Sequence, residues 1–157
     1  MNYDVWKKQG YLETTEGNVV HYGFIETFIE KLGMDYNIRE IAFDRWGAVQ
    51  MTQNLGNLGF TVVPFGQGIK DMSPPTKELM KLTLEKKIAH SGHPVLRWMM
   101  DNIYIRTDPA GNIKADKEKS TEKIDGAVAT IMAPDRAIRC GGETGTSAYD
   151  ERGLLAF

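Results

Sequence analysis

The stretch Ile38-Arg39-Glu40-Ile41-Ala42-Phe43-Asp44-Arg45-Trp46 decides the fold class. Ile38, Ile41, Ala42 and Phe43 make a short run too apolar for a solvated strand, so it reads as a central strand covered on both faces by helices. The run ends abruptly in a charge. In open α/β sheets the loops diverge at the carboxyl ends of the strands and leave a crevice where ligands bind, which makes Asp44 the first candidate functional residue. The competing reading is that Asp44 caps the helix that follows, since Asp is a preferred N-cap residue.

Composition limits what surrounds this strand. A chain of 157 residues with 41% hydrophobic content is enough for one domain with a proper core. Its apolar runs fall far short of the roughly 20 residues a membrane helix needs, and Met1-Asn2-Tyr3-Asp4 lacks a signal-peptide pattern. A soluble, cytoplasmic protein without a membrane partner is expected. The single cysteine, Cys140, excludes an internal disulfide and a cysteine-based zinc cluster. The formal charge of −2 gives no global attraction to nucleic acid, so such binding needs a local basic patch or a metal.

The residues from Tyr3 to Leu12 read as an irregular lead-in covering a sheet edge. Phe24, Ile25, Phe28, Ile29 and Leu32 then recur at helical spacing, with Glu26 and Glu30 on the other face and Gly33 as a natural C-cap, predicting a helix packed on the sheet. After Asp44, Ala48, Val49, Met51, Thr52 and Leu55 predict a second helix, and Phe60-Thr61-Val62-Val63-Pro64-Phe65 a second strand. Together these form a βαβ crossover with a parallel pair. Gly66-Gln67-Gly68 is a turn. It is no phosphate loop, because G-x-x-x-x-G-K-S/T occurs nowhere in the chain.

Ser73-Pro74-Pro75-Thr76 fits the start of a third helix, with Leu79, Leu82 and Ile88 on its apolar face and Lys77, Lys81, Lys86 and Lys87 on a solvated one. His93-Pro94 opens a further helix through Met100. His90 and His93 have a possible metal spacing, but no third ligand is evident. Ile103 to Thr107, the turn Asp108-Pro109-Ala110-Gly111 and Asn112 to Lys114 predict a protruding hairpin. The segment from Ala115 to Lys123, mixed in sign, reads as a solvated loop.

Asp125 follows in Lys123-Ile124-Asp125-Gly126-Ala127-Val128-Ala129, where small residues allow a helix to approach a sheet closely. Asp125, Ala129 and Met132 share one face by i, i+4, i+7 spacing, which aims the acid at the sheet. A carboxylate there needs a partner. Two acids, one ending a strand and one on a neighbouring helix, suggest a shared divalent metal; a buried salt bridge from Asp125 to Arg45 or Arg136 is the structural alternative.

Ile41 to Gly47, His93-Pro94-Val95-Leu96-Arg97-Trp98, Asp116 to Gly126 and Tyr149-Asp150-Glu151-Arg152-Gly153-Leu154-Leu155 occur in one order along the chain. With these motifs the sequence resembles the nuclease half of a tailed-phage terminase large subunit, from about Tyr3 onward. The resemblance implies an α/β, ribonuclease H-like mixed sheet with flanking helices, over residues 1–140. It implies a metal-dependent endonuclease that cuts concatemeric double-stranded DNA during genome packaging. Asp44 and Asp125 match the family's later acids and become catalytic ligands for Mg2+ or Mn2+. Two such ions roughly 3.5–4 Å apart activate a water and stabilise the leaving oxygen. Arg45, Lys119 and Lys123 lie beside these acids as candidates for DNA-backbone contacts.

The family's ATPase half, its first strands and its first catalytic acid are not matched, and Asp4 does not replace that acid. Weak or absent cleavage by this polypeptide alone is therefore expected, with one sheet edge exposed. Two other readings stay open: another ribonuclease H-like enzyme such as a resolvase, and a non-catalytic module docking to the portal or to its own ATPase half. The portal protein and the terminase small subunit are the protein partners the resemblance implies. Residues 141–157, rich in Gly, Thr and Ser at first, read as a flexible tail whose end is a candidate portal contact.

Overall fold

The computed structural model describes residues 2–140 except 18, 20 and 46–48. The tail from 141 and the Trp46-Gly47 part of the first motif lie outside the described residues. The chain begins with a short helix, α1 (Tyr3–Lys8), in place of an irregular lead-in. Tyr3 and Trp6, three residues apart and so on one helix face, pack against Trp98, with Trp6 and Trp98 ring centroids 5.4 Å apart. This aromatic contact fixes α1 to a later helix rather than to a sheet edge.

Helix α2 (Tyr22–Asp35) has the expected periodicity but no buried residue. It packs on α3 (Val49–Asn57) rather than on a sheet. Phe24 and Phe28 stay exposed, while Glu26, expected on the far face, accepts a hydrogen bond from Asn54 Nδ2 at 2.8 Å. Gly33 lies inside the helix, not at its C-cap, where a Cβ would stand 2.9 Å from the Phe60 ring.

Strands β1 (Ile41–Asp44) and β2 (Val62–Phe65) pair in parallel, with Ile41 opposite Val62 and Asp44 opposite Phe65. Helix α3 joins them, supplying the long crossover that a parallel pair requires. Pro64, which cannot donate to a ladder, is exposed, as suits an edge strand. The residues of β1 are half-buried up to an exposed Asp44, so the strand is less covered than its apolar run suggests.

Helix α4 (Ile69–Leu84) starts before Ser73, so Pro74 and Pro75 lie within it. Pro at the first turn is the usual pattern, but here burial of Met72, Ser73, Pro75 and Thr76 outweighs the lost backbone bonds. The Ser73 hydroxyl, expected to cap, instead accepts the Ile113 backbone N–H at 3.1 Å. The helix ends before Ile88, with Lys86 in the left-handed region at φ 56°.

Helix α5 (Pro94–Asp101) opens on proline as expected. The hairpin follows as β3 (Ile105–Thr107) and β4 (Ile113–Ala115), antiparallel, with Arg106 opposite Lys114. It does not protrude freely, because β4 packs on α4 and Ala115 is buried. Helix α6 (Asp125–Cys140) closes the described chain and packs on α4, α5 and β1. Gly126 lets α5 come close there, since a Cβ would stand 2.7 Å from Met99 Sδ and the methionine side chain would have to shift. Phe65, Met72, Ala115, Ile124, Ala127, Val128, Ile131 and Met132 form the core. Among the described residues the strands form two separate two-stranded sheets.

Candidate metal and DNA site

The parallel pair ends at Asp44 and Phe65. Residues 46–48, which join Asp44 to the described part of α3, lie outside the described residues, and with them the capping reading of Asp44. Asp44 lines a cavity of about 220 Å³, together with Asp116 and Glu118 and with the cations Arg106, Lys114 and Lys117. The base is apolar where Met72, Ala115 and Val128 reach it from α4, β4 and α6.

Asp116 is a residue that the solvated-loop reading missed. It is 5% exposed, immediately after β4, and its Oδ1 accepts the backbone N–H of Glu118 at 3.0 Å and of Lys119 at 3.3 Å. The Ser120 hydroxyl donates to the Asp116 carbonyl at 2.6 Å, so the turn is built around this acid. An acid directly after a strand was the available signal, the same one that singles out Asp44.

Asp125 is the first residue of α6, and its carboxylate accepts a 2.6 Å hydrogen bond from Lys117 Nζ. The side chain is 64% exposed and does not face the sheet, correcting the expected orientation. The buried positions of α6 are Ala127, Val128, Ile131 and Met132, with Ala129 exposed. At a helix N-terminus a carboxylate is favoured by the unpaired backbone N–H groups, so burial is not needed to hold it. Lys117 lines the Asp44 cavity and also binds Asp125, which is not itself among the lining residues.

The salt bridge of Asp125 to Arg45 or Arg136, the alternative to a shared metal, does not form. Arg45 lies 4.0 Å from Asp71 at the start of α4, and Arg136 pairs with Glu40. A Cβ at Gly66 would collide with both the Asp71 carboxylate and the Arg45 guanidinium, so the residue after β2 must be small. Lys119 Nζ stands 5.3 Å from the centre of the Tyr104 ring, and Lys123 is exposed; neither lines the cavity. His93 packs on Tyr11, and His90 Nδ1 accepts the Gly92 N–H, so this pair has local partners.

The donor set fits a hard cation in part. Mg2+ keeps several waters and takes one or two carboxylates plus substrate phosphates, which suits Asp44 with Asp125. Among the described residues no three His, Cys, Asp or Glu side chains converge as a protein-only cage.

The family model described as "Terminase large subunit, endonuclease domain" matches residues 1–140. The chain belongs to this family. It is 41% identical over 133 residues to the large terminase subunit of Enterobacteria phage HK97, covering 83% of this chain and 26% of that protein. Protein YmfN of Escherichia coli (strain K12) is 31% identical over 138 residues, covering 87% and 30%. The crystal structure of the HK97 bacteriophage large terminase superposes with a TM-score of 0.76 at 41% identity, over 83% of this chain and 28% of that one. The chain thus spans under a third of the length of these relatives. The α/β, ribonuclease H-like architecture expected of a terminase nuclease domain is the one observed, with its described strands in two sheets. No helix among the described residues is long and apolar enough to cross a membrane.

Proposed function

We propose that this chain is a divalent-metal-dependent endonuclease acting on double-stranded DNA, with Asp44 and Asp125 as ligands of Mg2+ or Mn2+. The observation that carries this is the polar cavity at the carboxyl end of the parallel pair, lined by Asp44 and by Lys117, whose ammonium binds Asp125. When bound, such ions supply an activated water and charge stabilisation at the leaving oxygen. Asp44, Asp116 and Glu118 provide the negative field that attracts them, while Arg45, Lys119 and Lys123 offer positive charge to the approaching backbone. Asp116, held by its own turn, keeps the cavity wall in place. The activity belongs to genome packaging in the host cytoplasm, beside the portal protein and the terminase small subunit.

Asp44 shares its cavity with Asp116 and Glu118, but among the described residues no three His, Cys, Asp or Glu side chains converge, and weak cutting of duplex DNA by the chain alone is the expected outcome. Crystals soaked in manganese test the ligand pair. An anomalous peak bridging Asp44 and Asp125, abolished by Asp44→Asn, is expected. An empty cavity with Asp125 still held by Lys117 would instead favour a docking module, the reading that this ion pair supports.

A further inference from the structure

Arg106 and Lys114 stand directly opposite each other in the β3–β4 ladder, and both line the cavity that holds Asp44. Like charges at opposed positions destabilise a hairpin unless an anion lies between them. The Arg106 guanidinium is exposed and makes no hydrogen bond or ion pair with any described residue, which leaves its planar set of donors available. Lys114 donates to the Gln67 carbonyl at 3.1 Å, tying the hairpin to the turn after β2 and leaving further N–H donors on its ammonium.

The mount is rigid. Asp108 accepts the backbone N–H of Ala110 and Asn112 and the Asn112 side-chain amide, closing the hairpin turn, while Ile113 N–H bonds Ser73 on α4. The cavity poses an electrostatic problem that these cations answer. A phosphodiester approaching Asp44, Asp116 and Glu118 meets repulsion, and a guanidinium with a free fork offsets it by bidentate contact.

We propose that Arg106 and Lys114 form a phosphate clamp that seats the DNA backbone at the mouth of the Asp44 cavity. The choice of DNA as the source of the phosphate rests on the endonuclease reading above. Arg106 is a positioning residue in this scheme, and Arg45, Lys119 and Lys123 add general attraction around it.

The test is duplex binding by this chain in EDTA, followed by fluorescence anisotropy over a NaCl series. Each phosphate contact contributes a salt-dependence slope of about 0.9, so Arg106→Gln and Lys114→Gln each lower it by about that amount. Their combination lowers it by nearly twice as much, and Arg106→Lys restores the slope while binding more weakly than the wild type. An unchanged slope in the double variant overturns the clamp, as does a wild type that fails to bind duplex even at low salt. Arg106 is exposed and Lys114 half-buried; Asp108 and Ser73 also hold the hairpin, and circular dichroism checks that the variants stay folded. Manganese binding, followed by electron paramagnetic resonance in wild type and Asp44→Asn, is scored separately. A reduced slope without a manganese site keeps the clamp and removes the nuclease reading; the reverse result removes the clamp alone.

Discussion

At its amino end α6 offers Asp125 to Lys117 in a single 2.6 Å contact between side chains 64% and 51% exposed; at its carboxyl end Arg136 grips Glu40 between side chains 24% and 20% exposed. There Nε and Nη2 both reach Glu40 Oε2 at 2.7 Å. Each pair joins the same helix to another segment, yet they suit opposite tasks. A solvated pair contributes about 0–1 kcal/mol and exchanges readily, so Asp125 can trade Lys117 for another cation. The sheltered pair, with two donors on one oxygen, fixes the residue just before β1 to the end of α6. One end of α6 is built to be rearranged and the other to stay.

The comparison fails if α6 itself is not seated by its core face. Ile131, 2% exposed, packs among Met72, Val128 and Met132. Ile131→Ala is expected to cost about 2–5 kcal/mol in chemical denaturation, the largest effect among these variants. A loss under about 1 kcal/mol would mean that the site collapses around the gap and that the two ion pairs share the work of holding the helix.

Breaking the sheltered pair comes next. Arg136→Ala leaves Glu40 without its guanidinium partner, and the thermal midpoint should fall clearly further than in Lys117→Ala. Equal midpoints in the two variants would erase the distinction between the ends of α6.

Acid sharpens it. The Cys140 thiol and then the Arg136 guanidinium hold the Glu40 carboxyl below its ordinary value. The folded state therefore binds this proton less tightly than the unfolded chain does, so stability rises with pH across the interval. The contribution is fully present above the unfolded value of about 4.3 and is lost as the pH falls through the lower folded value. The stability gap between wild type and Glu40→Gln should shrink over that fall. Asp108, lowered chiefly by the Asn112 side-chain bond, has the same sign but cancels in this difference. A gap that stays constant with pH would show that Glu40 titrates alike in both states.

What could be read from the sequence divides along similar lines. The β1–α3–β2 crossover and Pro94 at the start of α5 follow from local rules that the fold does not overrule. The place of Asp44 at the end of β1 was legible as well, because a charge ends an apolar strand more readily than it continues one. Periodicity marked an apolar face on α2 but not what covers it, and α3 meets a different face, through Asn54 and Glu26. For Asp125 the i, i+4, i+7 spacing was applied to a residue that turns out to be the first of its helix, where the side chain reaches back toward the preceding turn. Asp116 was hidden for another reason. Its partners are backbone N–H groups of its own turn, and a run of mixed charges does not show which member is turned inward.

The smallest expected effect on stability probes the exchangeable end. Lys117→Ala removes one exposed contact and should change stability by less than about 1 kcal/mol. Its consequence for manganese is larger if Asp125 is a ligand, because the ammonium and the ion compete for one carboxylate oxygen. Calorimetry should then show manganese binding tightened several-fold in Lys117→Ala and weakened in Asp125→Asn. Were Asp125 merely the partner of Lys117, Asp125→Asn would not weaken manganese binding, and Asp44 would have to draw its companion acid from Asp116 or Glu118, which share its cavity. Asp116→Asn separates those two, since the amide preserves an oxygen acceptor for the turn while removing the charge.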